Sequence, residues 1–170
     1  MKTIIDITFE ENNNVLQYLN EKNEVSYYAD LDDKLKKMLV LSIASYFEKQ
    51  ITDMIYSFVH KKTDENVIIT SFVQKKAISR QYHTFFDWKK NNCNSFLGLF
   101  GEVFKKEVQE EIKDRNMNEN VKAFLELGEL RNNLVHQNAA TFIIEKTSLE
   151  IYEQYKSASN FIDLLKEKLN

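Results

Sequence analysis

The 170-residue chain contains no proline, only three glycines (Gly98, Gly101 and Gly128) and a single cysteine, Cys93. So few chain-breakers disfavour a sandwich or barrel with many turns and favour long helices. One cysteine excludes an internal disulfide framework and points to a reducing compartment. No apolar run approaches the roughly 18 residues of a membrane span. The opening Met1-Lys2-Thr3-Ile4-Ile5-Asp6 is charged too soon for a signal peptide, so a cytoplasmic location without membrane partners is expected. A basic excess is also missing. With 23 Lys and Arg against 26 Asp and Glu, the net charge is -3, which argues against a general nucleic-acid coat protein. A local basic stretch of Lys75, Lys76, Arg80, Lys89 and Lys90, opposed only by Asp87, suits contact with RNA and equally suits a solvated loop.

Apolar residues make up 43 % of the chain and charged ones 29 %, enough for one substantial core. The strongest periodic segment spans residues 30–62. There Leu31, Leu35, Met38, Leu39, Ser42, Tyr46, Phe47 and Ile51 recur at steps of three and four, the mark of a long helix with one apolar stripe. Asp30, Asp32 and Asp33 suit its N-terminus, and His60, Lys61 and Lys62 its C-terminus. Before it, Thr8-Phe9-Glu10-Glu11 fits a capping box opening a short helix to about Lys22.

After it, residues 65–76 predict a helix burying Val67, Ile68, Phe72 and Val73. The region 79–94 is the least regular. Its Tyr82, Phe85, Phe86 and Trp88 either stack nucleic acid or close the end of a core, and the second reading is preferred. Asn91-Asn92-Cys93-Asn94 reads as a loop. Helical spacing resumes over 95–114, split by its two glycines. A further helix opens near Asn118 and ends at Asn138 through a left-handed cap. Thr147-Ser148-Leu149-Glu150 is a capping box for a last helix to about Lys168, with Leu149, Tyr152, Tyr155 and Ser159 on its buried side.

One stretch resists explanation as core or solvated surface: Arg131-Asn132-Asn133-Leu134-Val135-His136. Arginine stays charged and presents a planar donor fork to phosphate. Histidine, with an ordinary pKa of about 6.5, exchanges protons near neutrality. Five residues apart on one helix, the two point about 140° from each other, whereas Asn132 and His136 share a face. Residues so placed converge only if the helix frays or a second copy completes the site.

This spacing, an arginine followed by a polar residue and then a histidine five positions on, resembles the motif of the HEPN superfamily. Lys37-Met38-Leu39-Val40-Leu41-Ser42-Ile43-Ala44-Ser45-Tyr46-Phe47 is similar to the long first core helix of its RiboL-PSP group. Phe85 and Phe86, Leu97-Gly98-Leu99-Phe100-Gly101 and the final helix after Ser148 follow in the same order. The likeness covers about residues 30–168. Gln137 departs from it, standing where many members have glycine.

The resemblance implies an all-α, up-and-down bundle of about five to seven helices with one long central helix. It also implies a single domain over 1–170, with an extension (1–29) and a core (30–168). The implied activity is metal-independent endoribonuclease chemistry, with Arg131 and His136 catalytic and Asn132 supporting. It implies an RNA substrate, a homodimer, and an antitoxin or defence-system partner. No cofactor is expected, since there is no glycine-rich phosphate loop. Neither His60 nor His83 has metal-ligand spacing to another His or Cys. A HEPN-like module that only binds or scaffolds is the alternative. In either case the residues leave open whether Glu48 or the basic stretch from Lys75 to Lys90 touches RNA.

Overall fold

The computed structural model describes residues 2–170. Among the described residues there is no strand. Eight α-helices follow in order: α1 (Ile4–Glu21), α2 (Val25–Lys62), α3 (Val67–Val73), α4 (Tyr82–Phe85), α5 (Asn94–Gly98), α6 (Glu102–Asp114), α7 (Asn118–His136) and α8 (Ser148–Lys168). A π-helical turn, Gln74–Ile78, continues α3. The expected all-α class therefore stands. The count exceeds five to seven because the irregular middle contributes α4 and the glycines detach α5 from α6. The chain divides into two compact units, one of Met1–Tyr46 with Leu127–Lys156, the other of Phe47–Glu126 with Ser157–Asn170. Helices α2, α7 and α8 contribute residues to both.

In the first unit, α1 starts earlier than expected. Its cap is Thr3, whose Oγ1 accepts from Asp6 N at 3.2 Å while Thr3 N donates to Asp6 Oδ2 at 2.7 Å. Thr8, the expected cap, lies inside the helix and its hydroxyl donates to Ile4 O at 2.9 Å. The earlier box prevails because the first turns of α8 close over it. Thr3 Oγ1 meets Tyr155 Oη at 2.8 Å and Tyr152 Oη donates to Asp6 Oδ1 at 2.7 Å. Beneath them Phe9 stacks on the Tyr152 ring, centroids 4.0 Å apart. Asp6 is one of two buried polar residues among the described residues, and Lys156 adds its charge at 3.4 Å.

Helix α2 also starts earlier, at Val25. Asp30, Asp32 and Asp33 thus sit inside it, and instead of serving the dipole they pair one turn on with Lys34, Lys36 and Lys37 at 2.6, 3.1 and 2.6 Å. The buried side of this stretch is Leu39, Val40, Ile43 and Ala44, whereas Met38, assigned to the stripe, is exposed. Apolar residues lie all round the helix here, so periodicity finds it without orienting it.

The second unit is organised on Phe124 of α7. Its ring meets Phe47, Phe86 and Phe161 with centroids 5.6, 4.9 and 5.5 Å apart, and Phe86 stacks on Phe96 at 4.7 Å. The middle aromatics thus close a core, as preferred from sequence. Gly101 separates α5 from α6 with φ 95°, a conformation that glycine alone adopts cheaply. After α1 and α6, where other chains use glycine, this one uses asparagine. Asn23 and Asn116 take φ 56° and 54°, and behind them Glu24 N bonds Leu19 O and Met117 N bonds Ile112 O, at 3.0 and 2.8 Å.

Further local expectations fail, and Leu149 of α8, expected on the buried side, is 54 % exposed. Val67, Ile68 and Phe72 are 70, 82 and 65 % exposed, and the residue that α3 buries is Thr70. The Thr70 hydroxyl donates to Asn66 O at 2.8 Å, which lets a polar side chain turn inward. Asn138 is not among the left-handed residues. It ends α7 by an Asx turn, its Oδ1 accepting from Ala140 N at 3.1 Å.

Candidate active site on helix α7

Helix α7 anchors its second half through Leu127 and Leu134, both buried, with Gly128 buried between neighbouring turns. Fixing those residues inward turns the others outward. Arg131 and Asn132 are half-buried and His136 is exposed at the last helical position. The helix stays α-helical through His136, so the angular separation of about 140° between Arg131 and His136 applies. Arg131 Nη1 donates to Asn132 Oδ1 at 3.1 Å. Asn132 lies about 40° round the helix from His136, so this bond draws the guanidinium toward the histidine's side. It engages the Asn132 oxygen and leaves its NH₂ as a donor without a partner among the described residues. Val135, between the two sides, is half exposed. The helix end thus presents a half-buried guanidinium and carboxamide and an exposed imidazole, with no carboxylate paired to any of them among the described residues.

The other candidates sort differently. Glu48 is half-buried on α2 in the second unit. Its neighbour Lys49 pairs with Asp53 at 2.6 Å, and the Thr52 hydroxyl donates to the Glu48 backbone carbonyl at 2.8 Å. In the basic stretch Lys90 is taken by Asp87 at 2.9 Å, which holds the Lys90 ammonium up and the Asp87 carboxyl down. Lys75, Lys76, Arg80 and Lys89 are exposed and make no ion pair among the described residues. Trp88 is not a free stacking surface: its Nε1 donates to His83 O at 2.9 Å and its ring meets Phe86 at 5.0 Å. His60 sits in the last turn of α2, stacked on Tyr56, with Nδ1 3.5 Å from Thr70 Oγ1. Among the described residues no three His, Cys, Asp or Glu side chains group as a metal site would need, and no helix is long and apolar enough to cross a membrane.

Sequence reasoning missed two groupings. One is the Thr3, Asp6, Tyr152, Tyr155 and Lys156 network. The other is a cavity rimmed by Asn91, Asn92, Asn94, Gln109 and Asn118. The asparagine run was visible as a loop, but Gln109 is 15 residues beyond Asn94, and no spacing rule joins them.

The protein is an all-helical domain whose penultimate long helix ends in an arginine, an asparagine and a histidine. More particularly, the chain belongs to the RiboL-PSP-HEPN family, which it matches over residues 6–170. The match starts within α1, ahead of the point where the motif resemblance begins. No curated protein and no solved structure matches the chain significantly.

Proposed function

We propose that the protein is a metal-independent endoribonuclease in which Arg131 and His136 are catalytic and Asn132 assists. The observation that carries this reading is the Arg131-Asn132…His136 set on the exposed end of α7, in a chain of the RiboL-PSP-HEPN family. A domain kept only for binding has no physical need of that set. The ribose 2′-hydroxyl supplies the nucleophile. His136 takes its proton or gives one to the departing 5′-oxygen, while Arg131 neutralises charge on the crowded phosphorus. The bond from phosphorus to the 2′-oxygen forms as the bond to the 5′-oxygen breaks, leaving a 2′,3′-cyclic phosphate and a 5′-hydroxyl. DNA lacks the nucleophile and is left intact.

The separation of Arg131 and His136 around α7 supports a composite site, in which two copies of the chain bring their helix ends together. The half-exposed Val135 between them suits such a contact. Activity of this kind fits a toxin or a defence effector held in check by a partner protein. Gln137-Asn138-Ala139 follows the motif, so control by modification of a tyrosine at that point does not apply.

The test is incubation of the full chain with total RNA and with tRNA in excess EDTA. Cleavage that persists without metal, ends in a cyclic phosphate, and falls by about a hundredfold or more in both Arg131→Ala and His136→Ala is the expected outcome. Intact RNA at micromolar protein overturns it in favour of an inert binding module, the reading that the net charge of -3 favours. Light scattering reads the dimer separately. A monomer at the concentration that cleaves overturns the composite site.

A further inference from the structure

The unit of Phe47–Glu126 and Ser157–Asn170 holds a cavity of about 220 Å³. Five carboxamides rim it: Asn91, Asn92 and Asn94 before and at the start of α5, Gln109 from α6, and Asn118 at the start of α7. Its floor is apolar, made by Cys93, Ile112 and Val121, each of them buried. No carboxylate and no cation lines it. Burial pushes the Cys93 thiol up to about 12, so the floor is neutral at physiological pH.

Three of the carboxamides are held by hydrogen bonds. Gln109 Nε2 donates to Asn94 Oδ1 at 2.7 Å, and Asn92 Oδ1 accepts from Asn94 N at 3.2 Å. Two carboxamides joined by one such bond leave an acceptor on one and a donor on the other, here Gln109 Oε1 and Asn94 Nδ2. Exchanging both amide orientations swaps the owners and preserves the set. Neither atom has a further partner among the described residues.

We infer that this cavity takes a single nucleobase of single-stranded RNA, its face on the Cys93, Ile112 and Val121 floor and its edge read by Gln109 and Asn94. Size supports one flat ring system, since the volume lies below the roughly 300–1,000 Å³ of sites that enclose drug-sized ligands. The acceptor and the donor left over on this bonded pair are the two functions that a carboxamide offers a base edge when Asn or Gln pairs with adenine, and splayed single-strand bases offer such edges. The neutral lining disfavours phosphate or carboxylate as occupant, because nothing offsets the cost of desolvating an anion. The assignment of the base to RNA rests on the ribonuclease reading, but the cavity residues belong to a different unit from Arg131 and His136 and the test requires no cleavage.

Adenosine, cytidine, guanosine and uridine are titrated separately into the ¹⁵N-labelled full chain while the side-chain NH₂ signals of Asn94 and Gln109 are followed. Saturable shifts with at least one nucleoside are expected, nearly independent of salt because no ion pair forms. Ribose 5-phosphate should give none, and Gln109→Ala should weaken binding by about tenfold or more. The shifts are read on the unaltered chain, so they decide the matter even where Gln109→Ala does not fold. No saturable shift with any nucleoside up to its solubility, or equal shifts with ribose 5-phosphate, overturns the inference. RNA cleavage without nucleoside binding overturns the cavity assignment alone. Nucleoside binding without cleavage overturns the ribonuclease alone.

Discussion

Replacing Asp6 by asparagine tests the link between α1 and α8 in the first unit, because it removes one charge while keeping the shape. Burial alone would raise the Asp6 carboxyl. The opposing contributions outweigh it: the Thr3 amide, the Tyr152 and Thr3 hydroxyls and the Lys156 ammonium hold it down at about 2, from an ordinary 3.8. The same contact pushes the Tyr152 phenol up to about 12. A carboxyl lower in the folded than in the unfolded chain means that the unfolded state binds the extra proton. The stabilisation is therefore complete above about pH 5 and is lost as pH falls through about 4 toward 2. At about 1.4 kcal/mol per pH unit, the difference sets an upper bound near 2.4 kcal/mol. Lys156 is half exposed and solvent screens its share, so about 1–2 kcal/mol is expected.

The assay is urea unfolding of the wild type and Asp6→Asn at pH 7 and again at pH 2.5. Glu111 and Glu167 also contribute on acidification, since hydrogen bonds and charges from Arg115 and Lys168 hold their carboxyls below the ordinary value. They are common to both proteins and cancel in the difference. A gap of about 1–2 kcal/mol at pH 7 that shrinks to about a third of that size at pH 2.5 is the expected result. An equal gap at both pH values would show that Asp6 acts by shape and hydrogen bonding alone, and would refute the electrostatic reasoning.

Phe124→Ala should cost about 3–5 kcal/mol, since the ring is fully buried against Phe47, Phe86 and Phe161; thermal melting would show it, and a loss under 1 kcal/mol would mean the cluster repacks without it. The two glycines flanking Leu99 and Phe100 should respond with opposite signs to alanine. A Cβ on either meets nothing within 4 Å, so only the backbone matters. Gly101→Ala, at φ 95°, should destabilise by about 1–3 kcal/mol, while Gly98→Ala, within α5, should be neutral or stabilise by up to about 1 kcal/mol. Equal effects in denaturant titrations would contradict the backbone argument.

Much of the fold was legible because it is written in short-range chemistry. The all-helical class followed from the absence of proline and from period 3.6. The α5–α6 break followed from Gly98 and Gly101, and the start of α8 from Thr147 and Glu150, whose reciprocal bonds are 2.7 and 3.2 Å. The candidate site was legible for the same reason: Arg131, Asn132 and His136 lie within two turns of one helix, so their spacing alone fixes their relative directions. Inward orientation was not legible. In α3 the apolar stripe is real, but the helix turns Thr70 inward and leaves Phe72 outside.

The first helix separates the two kinds of information most cleanly. Thr3-Ile4-Ile5-Asp6 and Thr8-Phe9-Glu10-Glu11 carry the same local capping signal, and nothing within ten residues ranks one above the other. Tyr152 and Tyr155 rank them, through hydrogen bonds to residues 146 and 152 positions away. The sequence by itself determined that a helix begins near here and that α7 ends in Arg131, Asn132 and His136, because capping and helical spacing are set by neighbours along the chain. Only the tertiary structure decided which threonine caps the helix and that Gln109 joins the asparagines around one cavity. Those pairings need side chains that fold closure, not spacing, brings together.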